Sequence, residues 1–473
     1  MERHVVVVGG GISGLAAAHR LATSGARVTV LEASERIGGV LQVSEVAGLP
    51  VDEGAESLLN RRPEAVELAR EVGLADDIVY PAAVGAGVWS RGRIWPLPPE
   101  TVMGVPSNPD NLAGLLDEDE LARIKNERTM PGLPLTHDVA IGRLVAERMG
   151  HAVAERLVEP LLGGVYAGHA DELSLQATVP ALAAAVQKET SLLDAAATVQ
   201  KQAHTAPGAP VFAGIRGGVG RLPHAVASAS GASIRTRTTV RAISPPAVAG
   251  ATWRLEIGPA PFPEFMTADA VILAAPPAPA ARLLEPVVSD AARELRQVEQ
   301  ASMAIVTLAM PRSAFPNVPE SSGFLVPPAE RRTIKAVTFW SVKWPWLAEL
   351  AGELVVLRAS VGRHRQVDEL QRPDDELVDL VLADLADAVG LAGRPVEARV
   401  TRWGGALPQY AVGHVERMGR VRAAMATVPG LALCGAAYDG VGIAACVGVA
   451  HNAAESVLAD LTSPAGRPRP ASH

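Results

Sequence analysis

The chain has 473 residues, of which 48% are hydrophobic, so it exceeds the usual single-domain length by roughly two- to threefold and can bury more than one core. A net charge of −8, without a basic stripe, argues against a nucleic-acid partner. The two cysteines, Cys434 and Cys446, are too few for a disulfide framework, and we expect packed thiols in a reducing cytoplasm.

Residues 4–39 predict a βαβ unit that binds a dinucleotide. The run Val5–Val8 is typical of a strand buried on both faces of a parallel sheet. Three glycines follow with G-x-G-x-x-G spacing, namely Gly9, Gly11 and Gly14. The first permits a tight turn, the second lets the backbone approach a pyrophosphate, and the third lets the next helix pack against the strand. That helix is predicted to begin at about Ile12, with its unpaired N–H groups facing the phosphates.

The second predicted strand, Arg27–Leu31, ends at Glu32, which lies 18 residues beyond Gly14 (32 − 14 = 18). A carboxylate at this position accepts hydrogen bonds from ribose hydroxyls. A glycine fingerprint alone is a weak signal, but the strand, glycines, helix, second strand and terminal acid together disfavour an ordinary βα turn. This unit by itself leaves NAD and FAD open as the dinucleotide.

The continuation of the unit, residues 32–39 (EASERIGG), resembles the extended fingerprint of the FAD-dependent amine oxidase and protoporphyrinogen oxidase superfamily. The resemblance implies FAD as the cofactor. It implies contacts to FAD from the first loop, the Glu32 segment and a later turn, through Gly9, Gly10, Gly11, Ile12, Ser13, Gly14, Glu32, Ala33, Arg36, Gly38, Gly39, Gly54, Ala55, Glu56 and Ser57.

The same resemblance implies cofactor contacts from the later parts of the chain. Val240 would lie beside the adenine, and Trp403 would also contact the cofactor. A closing helix would begin at Gly442, Ile443 and Ala444. The amide groups at its start would point at the pyrimidine oxygen of the flavin and stabilise negative charge on the reduced ring.

Residues 98–206 predict an inserted helical subdomain. Prolines break the chain between Pro98 and Pro109, and an apolar stripe with helical spacing then includes Val153, Leu157 and Leu161. Residues 163–168 (GGVYAG) form a glycine-rich break after a helix, similar to the family's G-(I/V)-(Y/F)-A-G segment at the cavity wall. Tyr166 is therefore expected to line the substrate cavity.

Residues 296–404 are richer in strand patterns and predict a second sheet that binds the substrate. Residues 322–327 (SGFLVP) resemble the family's G-F-G-x-L-V-P, with Ser322 in place of the phenylalanine, and imply that Gly323 and Leu325 contact the substrate. The predicted fold class is α/β, with a Rossmann-type FAD-binding domain (residues 1–80, 207–295 and 405–462), a mixed-sheet substrate domain (81–97 and 296–404), the helical subdomain and a disordered tail (463–473).

The closing segments 403–410 and 433–443 resemble porphyrinogen oxidases, and residues 98–106 resemble the T/A-V-M-G-I-P element of the coproporphyrinogen branch. This implies the six-electron oxidation of coproporphyrinogen III to coproporphyrin III in haem biosynthesis, with oxygen as the acceptor and hydrogen peroxide as its product. Three alternatives stay open: a protoporphyrinogen IX oxidase, a flavin amine oxidase, and a prenyl-protein escort of the same fold that is not an enzyme.

Coproporphyrinogen carries four propionates, and a carboxylate that leaves water needs a partner or a wet cavity. The candidate partners are Arg61, Arg62, Lys343 and Arg358. No catalytic side chain is predicted, because no G-x-S-x-G elbow is present and His414 and His451 are better explained as structural. No metal is predicted, since the eleven histidines show no H-E-x-x-H spacing.

The expected partners are a porphyrinogen, molecular oxygen and, in a transient contact, the next haem-pathway enzyme, ferrochelatase. No signal peptide is expected, since the apolar start is already the first predicted strand. No transmembrane span is expected, because the uncharged-looking run Leu431–Ala450 contains Asp439 and several glycines. The predicted location is the cytoplasm, with a peripheral membrane contact left open, and the oligomeric state is not predicted.

Overall fold

The computed structural model describes residues 3–202, 210–248 and 251–462. The amino-terminal strand lies at the centre of a five-stranded sheet in which every neighbouring pair is parallel. In spatial order its strands are Ser233–Arg235, Arg27–Leu31, His4–Val8, Ala270–Leu273 and Leu431–Leu433.

Both faces of this parallel sheet are covered. Val5 and Val7 belong to one hydrophobic core, which they share with the helices Ile12–Thr23 and Ile443–Thr462. Val6 and Val8 belong to a second core on the opposite face, because successive side chains of a strand point in opposite directions. The helices on that face are Pro277–Leu284, Ser289–Leu295 and His414–Met425. The prediction of a strand buried on both faces is therefore confirmed.

A seven-stranded sheet contains the strands of the region that was predicted to form a second sheet. It is mixed, since the pair between Gly323–Leu325 and Gly87–Ser90 is parallel and the others are antiparallel. In spatial order its strands are Glu397–Pro408, Gln300–Pro311, Leu354–Val361, Ile334–Phe339, Gly323–Leu325, Gly87–Ser90 and Arg93–Pro96. The helix Asp374–Val389 packs Leu377, Val381 and Leu385 into the core of one face. The predicted α/β fold class is confirmed.

The segment after residue 98 is largely helical and has a core of its own. Its α-helices are Glu118–Lys125, Ile141–Met149, His151–Val153, Glu159–Tyr166, Leu175–Thr178, Pro180–Val186 and Leu192–Gln202. Residues Ala154–Val158 form a π-helical turn between two of these helices. A π turn inserts one residue into the helical register, so Leu162, which the predicted stripe contained beside Leu161, packs in the core with Val153 and Leu157, and Leu161 is only partly buried.

The remaining elements connect these layers. The other α-helices are Pro63–Glu71, Arg221–Ser230, Trp340–Lys343 and Pro345–Ala351. The smaller sheets consist of Val43–Val46 with Leu49–Asp52, Leu58–Leu59 with Phe212–Ile215 and Ile78–Val79, Thr101–Val102 with Val105–Pro106, and Val240–Ser244 with Trp253–Ile257 and Glu264–Ala268. Short 3-10 turns are Ala75–Asp77, Pro109–Leu112, Asn126–Thr129, Arg312–Ala314, Pro328–Glu330 and Glu369–Gln371.

Some predictions need correction or lie outside the described residues. The predicted glycine-rich break at 163–168 is shorter than expected, because the helix Glu159–Tyr166 continues through both glycines and ends where Ala167 adopts a left-handed conformation. The predicted tail, 463–473, lies outside the described residues. Within residues 3–202, 210–248 and 251–462, no helix combines the length and the apolar character needed to cross a membrane. Both cysteines are buried free thiols, as expected.

Candidate active site

The glycine loop leaves an open space at Gly11. Gly9 has a φ of 114°, and a Cβ atom there would lie 2.5 Å from the carbonyl oxygen of Ala274. A Cβ atom at Gly14 would lie 1.9 Å from the carbonyl oxygen of Gly9, so both positions require glycine. A Cβ atom at Gly11, in contrast, would meet no protein atom within 4 Å. The free space at Gly11 would let a pyrophosphate come close to the backbone of the loop.

The helix Ile12–Thr23 starts at this opening with no side-chain cap at Gly11. Its first N–H groups, including those of Ser13 and Gly14, are thus left for an anion. Behind the loop, the N–H of Gly38 donates to the carbonyl oxygen of Gly10 at 2.8 Å. The predicted residues Gly10, Gly38 and Gly39 therefore form one backbone cradle with the loop.

Glu32 lies half-buried beside this cradle. One carboxylate oxygen accepts the N–H of Gly10 at 2.7 Å and the other accepts the N–H of Ser34 at 2.8 Å. A carboxylate has about four acceptor positions, so each oxygen can still accept a ribose hydroxyl. The strand that includes Val240 joins this corner, since the N–H of Thr238 donates to the carbonyl oxygen of Glu32 at 2.8 Å. Ala33 and Arg36 are exposed at its rim.

The predicted turn 54–57 is held by contacts from the seven-stranded sheet. Trp403 donates its indole N–H to the carbonyl oxygen of Glu53 at 2.7 Å, and the guanidinium of Arg36 lies 5.6 Å from the centroid of the same indole. Arg358 donates to the carbonyl oxygen of Gly54 at 2.5 Å. The structure thus brings together four of the predicted site elements: the Arg36 rim, the turn, Trp403 and Arg358.

The closing helix begins at Ile443, as predicted, and its start is open. A Cβ atom at Gly442 would meet nothing within 4 Å. The hydroxyl of Tyr410 donates to the carbonyl oxygen of Ala436 at 2.6 Å and accepts the N–H of Gly440 at 2.8 Å. Tyr410 therefore shapes the loop that leads into the helix. Sequence reasoning missed this role, although the closing motif contained the residue.

The cations predicted to meet the substrate do not form one group. Lys343 and Arg358 both pair with Glu56, with Nζ–Oε1 and Nη1–Oε2 distances of 2.5 and 2.9 Å. Burial disfavours ionisation of Glu56, but the charges of Lys343 and Arg358 outweigh it and hold the pKa of Glu56 below its ordinary value. Arg62 pairs instead with Glu64 at 2.6 Å, and Arg61 is exposed.

Glu56 was predicted as a cofactor contact and its two partners as substrate contacts, so the structure joins the two sets in one ion triad. The three side chains are at most 14% exposed. The triad carries a net charge of +1 next to the turn that was predicted to approach the flavin. Lys343 and Arg358 were expected to be available to carboxylates, but in this structure each already has a carboxylate partner.

The remaining predicted substrate residues lie where the helical segment meets the seven-stranded sheet. The ring of Tyr166 is buried 5.5 Å from that of Tyr410, measured between centroids, and burial raises the pKa of Tyr166 to about 12. Leu325 lies in contact range of the helix Glu159–Tyr166, since a Cβ atom at Gly164 would be 3.6 Å from it. Gly323 permits tight strand pairing, because a Cβ atom there would lie 2.0 Å from the carbonyl oxygen of Val337.

Comparison with known proteins identifies the family. The model of the flavin containing amine oxidoreductases matches residues 12–458, and the chain belongs to this family. The cofactor is accordingly FAD, and the open glycine loop, Glu32 and the uncapped helix start fit it. Among the described residues, no group of three or more His, Cys, Asp and Glu side chains could hold a metal ion.

Within the family, several relatives matched over nearly their whole length are named coproporphyrinogen III oxidases. The chain is 39% identical to the coproporphyrinogen III oxidase of Mycobacterium tuberculosis (strain ATCC 25618 / H37Rv), over 98% of this chain and 99% of that protein. It is 31% identical to the coproporphyrinogen III oxidase of Bacillus subtilis (strain 168), with 98% and 99% covered. The crystal structure of a candidate protoporphyrinogen oxidase from Exiguobacterium sp. 255-15 aligns with a TM-score of 0.84 and 32% identity, covering 98% of this chain and all of that one.

The opening at Gly11 yields a first prediction. In Gly11→Leu a side chain fills the space that the pyrophosphate needs, whereas the ordinary φ of −71° at this position lets the chain fold. We expect a folded protein with at least tenfold less bound FAD, measured from the ratio of flavin to protein absorbance. Gly419→Leu, at an exposed helix position with the same free space, is the control and retains its flavin. Full flavin occupancy in Gly11→Leu would contradict this placement of the cofactor.

The ion triad yields a second prediction. Glu56→Gln leaves the buried Lys343 and Arg358 without their counter-charge, and we expect a loss of about 3–5 kcal/mol of stability. The half-exposed pair Arg62–Glu64 supplies the control, since Glu64→Gln should cost less than about 1 kcal/mol. The measurement is the urea midpoint of each flavin-loaded variant. Equal midpoints for the two variants would show that the triad is not a stabilising element.

Proposed function

We propose that the chain oxidises coproporphyrinogen III to coproporphyrin III, removing six electrons in three two-electron steps and passing them to molecular oxygen. The observation that carries this proposal is the 39% identity along the full chain to a coproporphyrinogen III oxidase. The open cofactor cradle and the wall formed by the helical segment and the seven-stranded sheet supply a place for the chemistry. Each two-electron step reduces one O2 molecule to hydrogen peroxide, so three O2 molecules are consumed for each porphyrin formed.

A flavin held in the cradle would supply the acceptor for the hydride of a methylene bridge. The protein residues contribute orientation and electrostatics. The amide groups at the start of the helix Ile443–Thr462 would stabilise negative charge on a flavin ring placed against them, without rearranging. The net positive charge of the Glu56 triad acts in the same direction. No side-chain base is assigned, since a pyrrole proton can leave to water.

A second candidate substrate is protoporphyrinogen IX. The observation that favours it is the structural likeness to a candidate protoporphyrinogen oxidase. The relatives named for amine oxidation are weaker support for an alternative, because cyclohexylamine oxidase of Brevibacterium oxydans IH-35A is only 19% identical and thus shows the fold alone. The escort alternative lacks support, since an escort without flavin would not need the open cradle. The transient contact with ferrochelatase and a peripheral membrane contact stay predictions.

Substrate choice yields a third prediction. Coproporphyrinogen has two more carboxylates than protoporphyrinogen, and each one met by a charge-assisted hydrogen bond contributes roughly 1.5–3 kcal/mol. We therefore expect kcat/KM to favour coproporphyrinogen III by about tenfold or more. The measurement is the appearance of porphyrin fluorescence with both substrates, together with three equivalents of hydrogen peroxide per porphyrin. A preference for protoporphyrinogen IX would replace the proposal with the second candidate.

A further inference from the structure

Two cations that the ion triad does not include lie at one end of the seven-stranded sheet. Lys335 is in the strand Ile334–Phe339, and Arg363 follows the strand Leu354–Val361. Both residues bond the backbone of Val326: its N–H donates to the backbone carbonyl oxygen of Lys335 at 2.8 Å, and its carbonyl oxygen accepts Nη2 of Arg363 at 2.8 Å. Lys335 is only 3% exposed and Arg363 only 7%.

The ammonium of Lys335 has no hydrogen-bond partner among the residues that the structure describes. An ammonium offers three donors, and burying it without an acceptor is unfavourable. Burial, and after it the charge of Arg363, lowers the pKa of Lys335 to about 7. A lysine in this condition is rare in protein interiors unless something pairs with it.

Arg363 is a second buried cation and offers the ammonium of Lys335 no acceptor. Burial lowers the pKa of Arg363, and the carboxylate that opposes this shift is Glu159. Glu159 is already engaged, since it accepts the N–H of Ala170 at 2.5 Å and lies 3.2 Å from Nδ1 of His169. Within the described residues neither Lys335 nor Arg363 forms an ion pair. Two positive groups thus lie together without a negative partner of their own.

The pair lies at the wall where the substrate was expected. Val326 directly follows Leu325, one of the predicted substrate contacts. The N–H of His364, next to Arg363, donates to the carbonyl oxygen of Ala167 at 2.6 Å, immediately after the helix Glu159–Tyr166. That helix packs on the strand of Lys335. The two cations therefore lie at the junction of the helical segment and the sheet.

We infer that Lys335 and Arg363 form a carboxylate subsite that binds one propionate of the porphyrinogen. This inference rests on the proposed function and names a specificity element of the same site. A carboxylate supplies the acceptors that the ammonium lacks and the negative charge that the pair lacks. The charges of Lys343 and Arg358, in contrast, are already paired with Glu56, although Nε of Arg358 has no hydrogen-bond partner among the described residues.

The subsite and a purely structural role for Lys335 predict opposite effects of Lys335→Met on stability, and the effect that the subsite predicts follows from the pKa of Lys335. Its folded-state pKa of about 7 is below the ordinary 10.5, so the unfolded chain binds the proton more tightly. The resulting penalty is complete below pH 7 and fades as the pH rises towards 10.5. Lys335→Met removes it, so the ligand-free variant should melt above the parent at pH 6, with a smaller difference at pH 9. The other charged or titratable groups around the pair of Lys335 and Arg363 are Glu159, His169 and His364, and Arg363 itself faces Lys335.

The test uses the flavin-loaded full chain with coproporphyrinogen III. Lys335→Met should raise KM by roughly ten- to a hundredfold, the loss expected for one charge-assisted hydrogen bond, with kcat within about twofold of the parent. Lys335→Arg keeps the charge and should recover most of the affinity. Lys188→Met, at an exposed lysine of the helical segment, is the matched control and should leave KM unchanged. The flavin spectrum verifies folding of each variant.

The outcomes separate the two proposals. Turnover by the parent with an unchanged KM in Lys335→Met overturns the subsite and leaves the proposed function standing. Absence of turnover by the parent overturns the proposed function and the subsite with it. A Lys335→Met variant that melts below the parent at pH 6 shows a structural lysine and also overturns the subsite. If this variant does not fold, Arg363→Gln, which can still donate to Val326, is measured in its place with the same expected rise in KM.

Discussion

The candidate site depends on backbone N–H groups left unpaired where two helices begin at the same edge of the parallel sheet. The helices Ile12–Thr23 and Ile443–Thr462 follow the carboxyl ends of the strands His4–Val8 and Leu431–Leu433, and they pack against each other. The positive end of a helix dipole, equivalent to about half a charge, disfavours burial unless an anion meets it. A dinucleotide that places a pyrophosphate at one helix and an electron-accepting ring at the other satisfies both ends.

Buried charges in this chain fall into two kinds. Glu127 is fully buried, yet Arg148, Ser191 and the N–H of Leu192 surround its carboxylate, and the carboxylate of Glu56 is similarly satisfied by Lys343 and Arg358. Such networks are self-contained, and they stabilise the packing between elements that are distant in sequence. Within the residues that the structure describes, the ammonium of Lys335 has no hydrogen-bond partner, and the guanidinium of Arg363 bonds a backbone carbonyl oxygen but pairs with no carboxylate. Since interior charges are tolerated only with partners, the unsatisfied pair indicates a ligand, whereas the satisfied ones indicate architecture.

Local structural units could be predicted from the sequence, whereas the pairing of charges that are distant in the chain could not. The first strand, the glycine loop and the start of the closing helix each depend on residues within about 15 positions, so their patterns are readable. The link between Lys343, Arg358 and Glu56 joins positions about 300 apart, which no local pattern reveals. Lys335 was overlooked for a similar reason. Its one signal was a charged residue inside the apolar strand IKAVTF, and only the fold shows that the charge has no partner.

The inserted helical segment and the loop that leads into the closing helix share one aromatic stack. Tyr166 ends the helix of the inserted segment, its ring contacts Tyr410, and Tyr410 stacks on His414 with 4.1 Å between centroids. The same Tyr410 hydroxyl holds Gly440 ahead of the closing helix. Burial lowers the pKa of His414 to about 4, so the imidazole is neutral at pH 7 and stacks without bringing a charge. A shift of the inserted segment would therefore move the loop that leads into the closing helix, so a ligand that contacts Tyr166 and a cofactor that meets this helix would be coupled through the stack.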